Sequence, residues 1–235
     1  MIKIYLLDFT GAEVPEQHLS QLPGFVANTK NPYLRRERIF SYMLLSHALS
    51  ECGFSDTVSE KFKIPEIKRD ENGRPYFENG RAYFQNSDVD FNLSHDKDMA
   101  ALVISDEGRV GIDIQYSAGK VTDRLIAKVS EIFEGEGFCA LMEKEDTLSA
   151  QIKFMRYTEN VGLTLADDGG YISDGTSGFF SRWTALEAIS KADGRGVSHF
   201  WKDDLKEDIY SLKRTCVRDK SGNPYALCIC KRKNF

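Results

Sequence analysis

The stretch 88–115, DVDFNLSHDKDMAALVISDEGRVGIDIQ, constrains the fold more than any other part of the chain. Three short apolar runs are divided by two polar breaks, HDKD and SDEGR, the pattern of antiparallel strands joined by tight turns. We therefore expect an antiparallel meander here, with Ser94 and His95 at the tip of its first hairpin. In the third run, VGIDIQ, side chains alternate, so Val110, Ile112 and Ile114 share one face and Gly111, Asp113 and Gln115 the other. Aspartate is disfavoured inside strands, and one set between two isoleucines is sheltered and requires a partner. Either it caps a backbone amide at a strand edge or it belongs to a site.

The remaining segments fit a mixed chain of 235 residues, 41% hydrophobic, long enough for one large domain or two domain-sized halves. MIKIYLLD reads as a first strand with Asp8 directly behind it. YLRRERIFSYMLLSHALSEC, 33–52, has helical periodicity, with Ile39, Met43 and Leu44 inward. Arg35, Arg36 and Arg38 cluster near its start, where the macrodipole does not favour positive charge. They form either an anion site or a solvated basic turn. Asn72-Gly73 and Pro75 mark a turn, residues 121–144 read as one or two helices, and the chain closes on a hairpin around Ser221-Gly222-Asn223. The segment 146–179 has mixed polarity and contains LADDGGYISDGTSG; it reads as an extended insertion or a mobile loop. Its DDGGYISDG lacks the ligand positions and closing glutamate of an EF-hand, so a turn is expected there and no calcium site.

A formal net charge of −5 without a basic block gives no support to nucleic-acid binding, and no apolar run is long enough to span a bilayer. The expected location is the cytoplasm. Five cysteines, an odd number without zinc-ribbon spacing, read as reduced packing residues. RWTALEAISKADGRGV, 182–197, sets Trp183, Glu187 and Lys191 four apart on one helical face before Gly194 and Gly196. As a surface ion pair, Glu187 and Lys191 would contribute about 0.2–0.5 kcal/mol. The indole, the apolar stripe of Ala185, Ala188 and Ile189, and the glycine exit leave a functional site as the other reading.

Taken in order, GRP at 73–75, FNLSH at 91–95, VGIDI at 110–114 and WTALEAISKADGRG at 183–196 resemble the Sfp-type 4′-phosphopantetheinyl transferases. Their pattern is G-K/R-P, F-N-x-S-H, G-I-D-x-E, then W-x-x-K-E-A-x-x-K and a glycine-rich turn. The resemblance runs from Gly73 to Gly196, about half the chain. It implies an α+β fold of two similar halves, each a small antiparallel sheet packed with a helix, with the active site in the cleft between them. The halves would be 1–107 and 108–235, with an insertion near 146–179.

The resemblance also implies a Mg²⁺-dependent enzyme that transfers phosphopantetheine from coenzyme A to a serine of an apo acyl or peptidyl carrier protein, releasing 3′,5′-ADP. Asp113, Glu187 and Gln115 would hold Mg²⁺, and Glu187 would accept the serine proton. Lys191 would approach the diphosphate, with Asp113, Glu187 and Lys191 as the catalytic set. Ser94 and His95 would bind phosphate, Arg74 would border the adenine and 3′-phosphate, and one or more of Arg35, Arg36 and Arg38 would meet the 3′-phosphate. The expected partners are coenzyme A and the carrier, with the enzyme a monomer. Two departures stand out: Gln115 replaces an acidic residue and Leu186 a lysine. The alternatives are a coenzyme A-binding scaffold or regulator with weakened catalysis, and a Mg²⁺-dependent nucleotide hydrolase.

Overall fold

A computed structural model of the chain describes residues 1–15, 19, 22–53, 66–78, 88–144, 146–159, 161–166, 171–173, 178–197, 205–206 and 208–233. In chain order its elements are β1 (Ile2–Asp8), α1 (Gly24–Ala27), α2 (Pro32–Glu51), β2 (Ile67–Arg69), β3 (Pro75–Phe77), β4 (Asp90–Asp96), β5 (Met99–Ser105) and β6 (Val110–Tyr116). There follow α3 (Asp123–Phe133), α4 (Glu136–Glu143), β7 (Gln151–Thr158), β8 (Gly162–Leu165), β9 (Tyr171–Ser173), α5 (Phe179–Asp193), β10 (Tyr210–Arg218) and β11 (Pro224–Arg232). The protein is α+β, with a five-stranded sheet in the order β4-β5-β1-β7-β8, a four-stranded sheet in the order β6-β11-β10-β9, and the β2-β3 hairpin.

Strand composition dictates the layering. Every residue of β5, MAALVIS, is buried, because Ala100, Leu102 and Ile104 pack with α2 while Met99, Ala101 and Val103 pack toward the second sheet. β1 divides in the same way, Tyr5 and Leu7 to one side and Ile4 and Leu6 to the other. From the second sheet, Val110, Ile112, Ile114, Leu227 and Ile229 complete this inter-sheet core, and Cys228 and Cys230 point outward to α3, α4 and α5. The order is helix, sheet, sheet, helices. Strands covered on both faces carry continuous apolar runs, as these do.

Three segments differ from the sequence reading. β4 and β5 form the expected hairpin, but β6 leaves it and pairs with β11 in the other sheet, so 88–115 is not a meander. Ser94 and His95 lie within β4, and the turn falls at Lys97 and Asp98. Within 146–179, Gln151–Thr158 is a strand running parallel to β1, with β8 antiparallel beside it. A single parallel strand needs a long connection. That connection here includes α3 and α4, the two helices expected within 121–144. Residues 167–170 and 174–177 of LADDGGYISDGTSG lie outside the described residues.

The helices begin where their caps lie. Asn31 accepts from the amides of Tyr33 and Leu34 with Pro32 at the first helical position of α2, and Thr122 accepts from Leu125 at the start of α3. The hairpin at 221–223 forms as expected, with Asp219 accepting from the amides of Ser221 and Asn223. Among the described residues no helix is long and apolar enough to cross a membrane, and all five cysteines are free thiols.

Candidate functional site

Strand β6 does two things with its two faces. Val110, Ile112 and Ile114 enter the inter-sheet core, while Gly111 and Asp113 face α5. Gly111 permits the helix to lie directly on the strand: a Cβ there would sit 2.0 Å from the Ala188 carbonyl oxygen and 2.6 Å from the Ala192 nitrogen. At that closeness Asp113, two residues on, meets the last turn of α5. Lys191 Nζ lies 2.6 Å from Asp113 Oδ1 and donates to the Ile112 carbonyl at 3.0 Å. Ser94 Oγ donates to the same Asp113 oxygen at 2.8 Å and stands 3.3 Å from Lys191 Nζ. The side chain of Asp113 is 8% exposed, and its other oxygen, Oδ2, is buried with no hydrogen-bond partner among the described residues. A buried carboxylate oxygen left this way could accept a donor or a cation.

Lys191 therefore pairs across to β6, not back to Glu187. The Glu187 carboxyl is raised above the ordinary carboxylate value, chiefly by burial; Lys191 opposes this, Asp113 adds to it and Lys128 opposes it. A carboxylate held above its usual range is a stronger base near neutrality. Leu186, where the resembling family carries lysine, is fully buried in the outer helical core, facing away from the site. Trp183 packs partly buried against that same cluster, its ring stacked with Phe179 at 6.3 Å, and does not lie between the sheets.

The strand FNLSH holds β6 in register by an unusual device. Alternate side chains of β4 accept hydrogen bonds from alternate backbone amides of β6: Asp90 from Val110 at 2.8 Å, Asn92 from Ile112 at 3.2 Å, Ser94 from Ile114 at 3.3 Å and Asp96 from Tyr116 at 2.7 Å. Side chains thus replace a neighbouring strand's carbonyls and satisfy amides that the sheet edge would leave open. The two sheets join at this seam. Gln115 completes it by donating Nε2 to Asp96 Oδ2 at 2.5 Å. Asp96 is raised above its ordinary value, first by burial, against the opposing Tyr116 amide, with Glu37 and Asp113 adding to it.

Beside the seam is a cavity of about 310 Å³, bounded by α2, the β2-β3 hairpin, β4 and the end of α5. Of the sequence candidates, Arg38, Arg74, His95, Glu187 and Lys191 line it. His95 Nδ1 lies 3.3 Å from Glu37 Oε2. The three arginines of α2 part company. Arg36 is spent on the first sheet, bonding Asp98 and the carbonyls of Phe9 and Ala12 while stacked over Phe9 and Phe40. Arg35 bonds the Ala27 carbonyl, and Arg38 bonds Thr29 while facing the cavity. Two cations escaped the sequence reading: Arg69, in KRDENGRP, and Arg195, inside the glycine exit DGRG, both line the cavity. Each sits beside a turn glycine whose signal dominated the stretch. Phe25 and Tyr42 form an edge-to-face pair on its apolar wall.

In this α+β protein a cavity wall carrying several cations thus stands beside the Lys191–Asp113–Ser94 cluster and the sheltered Glu187, with Lys191 and Glu187 facing the cavity and Asp113 and Ser94 behind them. In sequence the chain is similar to the 4′-phosphopantetheinyl transferase AcpT of Escherichia coli O157:H7 and to that of Escherichia coli strain K12, each 37% identical over 94 residues. The match spans 40% of this chain and 39% of each relative. No family model matches. The similarity bears out the resemblance to phosphopantetheinyl transferases read from the four motifs.

Proposed function

We propose that the protein transfers the 4′-phosphopantetheine group of coenzyme A to a serine of an apo acyl or peptidyl carrier protein, with Mg²⁺, as a cytoplasmic monomer. The observation that carries this reading is Lys191 bridging Asp113 and Ser94 next to a burial-raised Glu187, at the end of a cavity lined by guanidinium groups. In the reaction the serine oxygen bonds to the pantetheine-side phosphorus, the bond from that phosphorus to the oxygen of the departing nucleotide breaks, and 3′,5′-ADP leaves. Glu187 takes the serine proton, directly or through one water. Lys191 supplies positive charge to the diphosphate. Arg38, Arg69 and Arg195 offer the remaining charge for the phosphates, and His95 presents Nε2 because Nδ1 faces Glu37.

The donors fit a Mg²⁺ ion: the orphaned Asp113 Oδ2, the Glu187 carboxylate and, on Asp113's face of β6, Gln115 would hold it. In this reading substrate oxygens and water complete the ion's coordination. When bound, it supplies charge neutralisation at the diphosphate. The same reading divides the chain into similar halves, 1–107 and 108–235, with 146–179 inserted. In favour of the insertion, β7 and β8 join the sheet of β1, whereas β9, at the end of the segment, joins β10 and β11 in the sheet of β6.

The test is incubation with coenzyme A, Mg²⁺ and a panel of apo carrier proteins, followed by mass spectrometry. The expected result is a carrier heavier by one phosphopantetheine, with 3′,5′-ADP released. Coenzyme A binding without a modified carrier would leave a scaffold, and cleavage of coenzyme A without any carrier a hydrolase; either result overturns the proposal.

A further inference from the structure

The geometry points to Arg74 as a positioning residue that holds Lys191 in place, not a contact to the substrate; this rests on the transferase reading and deepens it. Arg74 rises from the β2-β3 turn, where its amide donates to Asp70 Oδ1 at 2.9 Å. Its guanidinium forks onto Asp90, Nη1 to Oδ1 at 2.8 Å and Nη2 to Oδ2 at 2.5 Å. Nη2 also donates to the Val110 carbonyl at 2.9 Å, and Nε donates to the Lys191 carbonyl at 2.8 Å. One planar group, its side chain 9% exposed, thus ties together the hairpin, β4, β6 and α5.

The bonds decide what Arg74 has left to offer. A guanidinium carries five N–H groups. Four are committed here, so a phosphate arriving in the cavity finds at most one, on Nη1, and no bidentate edge. The Lys191 carbonyl, by contrast, is among the last of α5, which have no partner within the helix, and a cation there is favoured by the macrodipole. Fixing that carbonyl fixes the backbone from which the Lys191 ammonium reaches Asp113 and Ser94. Asp90 Oδ2 accepts both Arg74 and the Val110 amide, so the clamp is also the first rung of the β4–β6 ladder. Lysine cannot reproduce it, because a point charge does not fork.

Loss of the clamp is therefore expected in turnover more than in coenzyme A binding. Asp90 does not line the cavity, which makes it the discriminating partner. In transfer assays Arg74→Lys should lower kcat by about tenfold or more with KM for coenzyme A changed by less than about threefold. Asp90→Asn should do the same, and the double variant should be no worse than the more impaired single one. A rise of about tenfold in KM for Arg74→Lys with kcat intact, while Asp90→Asn changes neither, would overturn the proposal and make Arg74 a ligand contact.

Amide hydrogen exchange on the unliganded protein gives a readout independent of activity. The Val110 and Gly194 amides, bonded to Asp90 and to the Ser190 carbonyl, should lose protection together in both variants. Unchanged protection would overturn the clamp even if the enzyme is a transferase. Lost protection with no transfer by the wild type would sink the transferase reading and leave the clamp standing.

Discussion

Replacing Gly111 by alanine tests the geometry on which the whole site depends. The added Cβ would lie 2.0 Å from the Ala188 carbonyl oxygen, where ordinary contact begins near 3.4 Å, so the oxygen and Cβ must separate by about 1.4 Å. Both near neighbours are backbone of α5, and that helix's own buried Leu186 and Ile189 share a core cluster with Val129, Phe133, Phe138 and Leu141 of α3 and α4, which opposes its displacement. No side chain can swing aside. Overpacking of a filled core costs about 1–3 kcal/mol, and a backbone clash belongs at the upper end. For a chain of this length each kcal/mol moves Tm by about 2–4 °C, which puts the loss at about 6–12 °C.

The displaced helix carries Glu187 and Lys191, so opening the 2.6 Å Lys191–Asp113 contact should also lower kcat by about 10²-fold. The control is Gly137→Ala in α4, whose Cβ would meet the Leu205 carbonyl at 1.8 Å in the outer helical layer. It should cost similar stability while sparing turnover below its melting range. Thermal melts and carrier-modification rates decide the matter. If Gly111→Ala melts within about 1 °C of wild type, the close approach of β6 and α5 is refuted. If it melts low yet turns over normally, the chemistry does not depend on where α5 lies.

Glu187→Gln should nearly abolish transfer and yet raise the melting temperature of the unliganded protein at neutral pH. Because burial lifts the Glu187 pKa, the ionised form costs stability, a cost that sets in as pH rises through 4.5 and is complete above the folded value; the two proteins should therefore converge in acid. A variant less stable than wild type at neutral pH would contradict the burial argument, and full turnover the proposed base. Lys191→Ala strands the sheltered Asp113 carboxylate, so calorimetry should show a loss of about 3–5 kcal/mol, where a surface pair would give a few tenths. Arg38→Ala should weaken coenzyme A binding with little change in Tm, and Arg36→Ala the reverse, since only Arg38 faces the cavity; matching effects in isothermal titration would refute that division.

What the sequence makes legible here is what local periodicity encodes. The alternation in VGIDIQ identifies Asp113 and Gly111 as sharing a face, and the four-residue spacing identifies Glu187 and Lys191 as doing so on α5. Neither pattern reveals that these two faces meet, because the approach is set by a missing Cβ at 111 and by β6 leaving β5 for β11. The α2 arginines show the same limit. Arg36 and Phe40 are one turn apart and turn inward to Phe9, whereas Arg38 and Tyr42 are one turn apart and turn to the cavity. Phase alone separates the two rows, but it does not say which row is covered by β1 and its following loop.

The β4 strand was hardest to read because its polar residues act as backbone. Asp90, Asn92, Ser94 and Asp96 look like turn formers, and HDKD looks like a break, yet their alternation matches the amides of a strand in another sheet. This also gives Gln115 a physical reason. Its neighbour Asp96 is a carboxyl raised by burial and by the nearby Glu37 and Asp113, and its Oδ2 already accepts the Tyr116 amide. A second carboxylate at 115 would set a like charge against that oxygen and further disfavour the charged form of a group that burial already disfavours. An amide there donates instead, at 2.5 Å. The glutamine at 115 and the aspartate at 96 are thus one arrangement: the carboxyl at the end of β4 accepts, and the residue beside it on β6 donates, where a carboxylate could not.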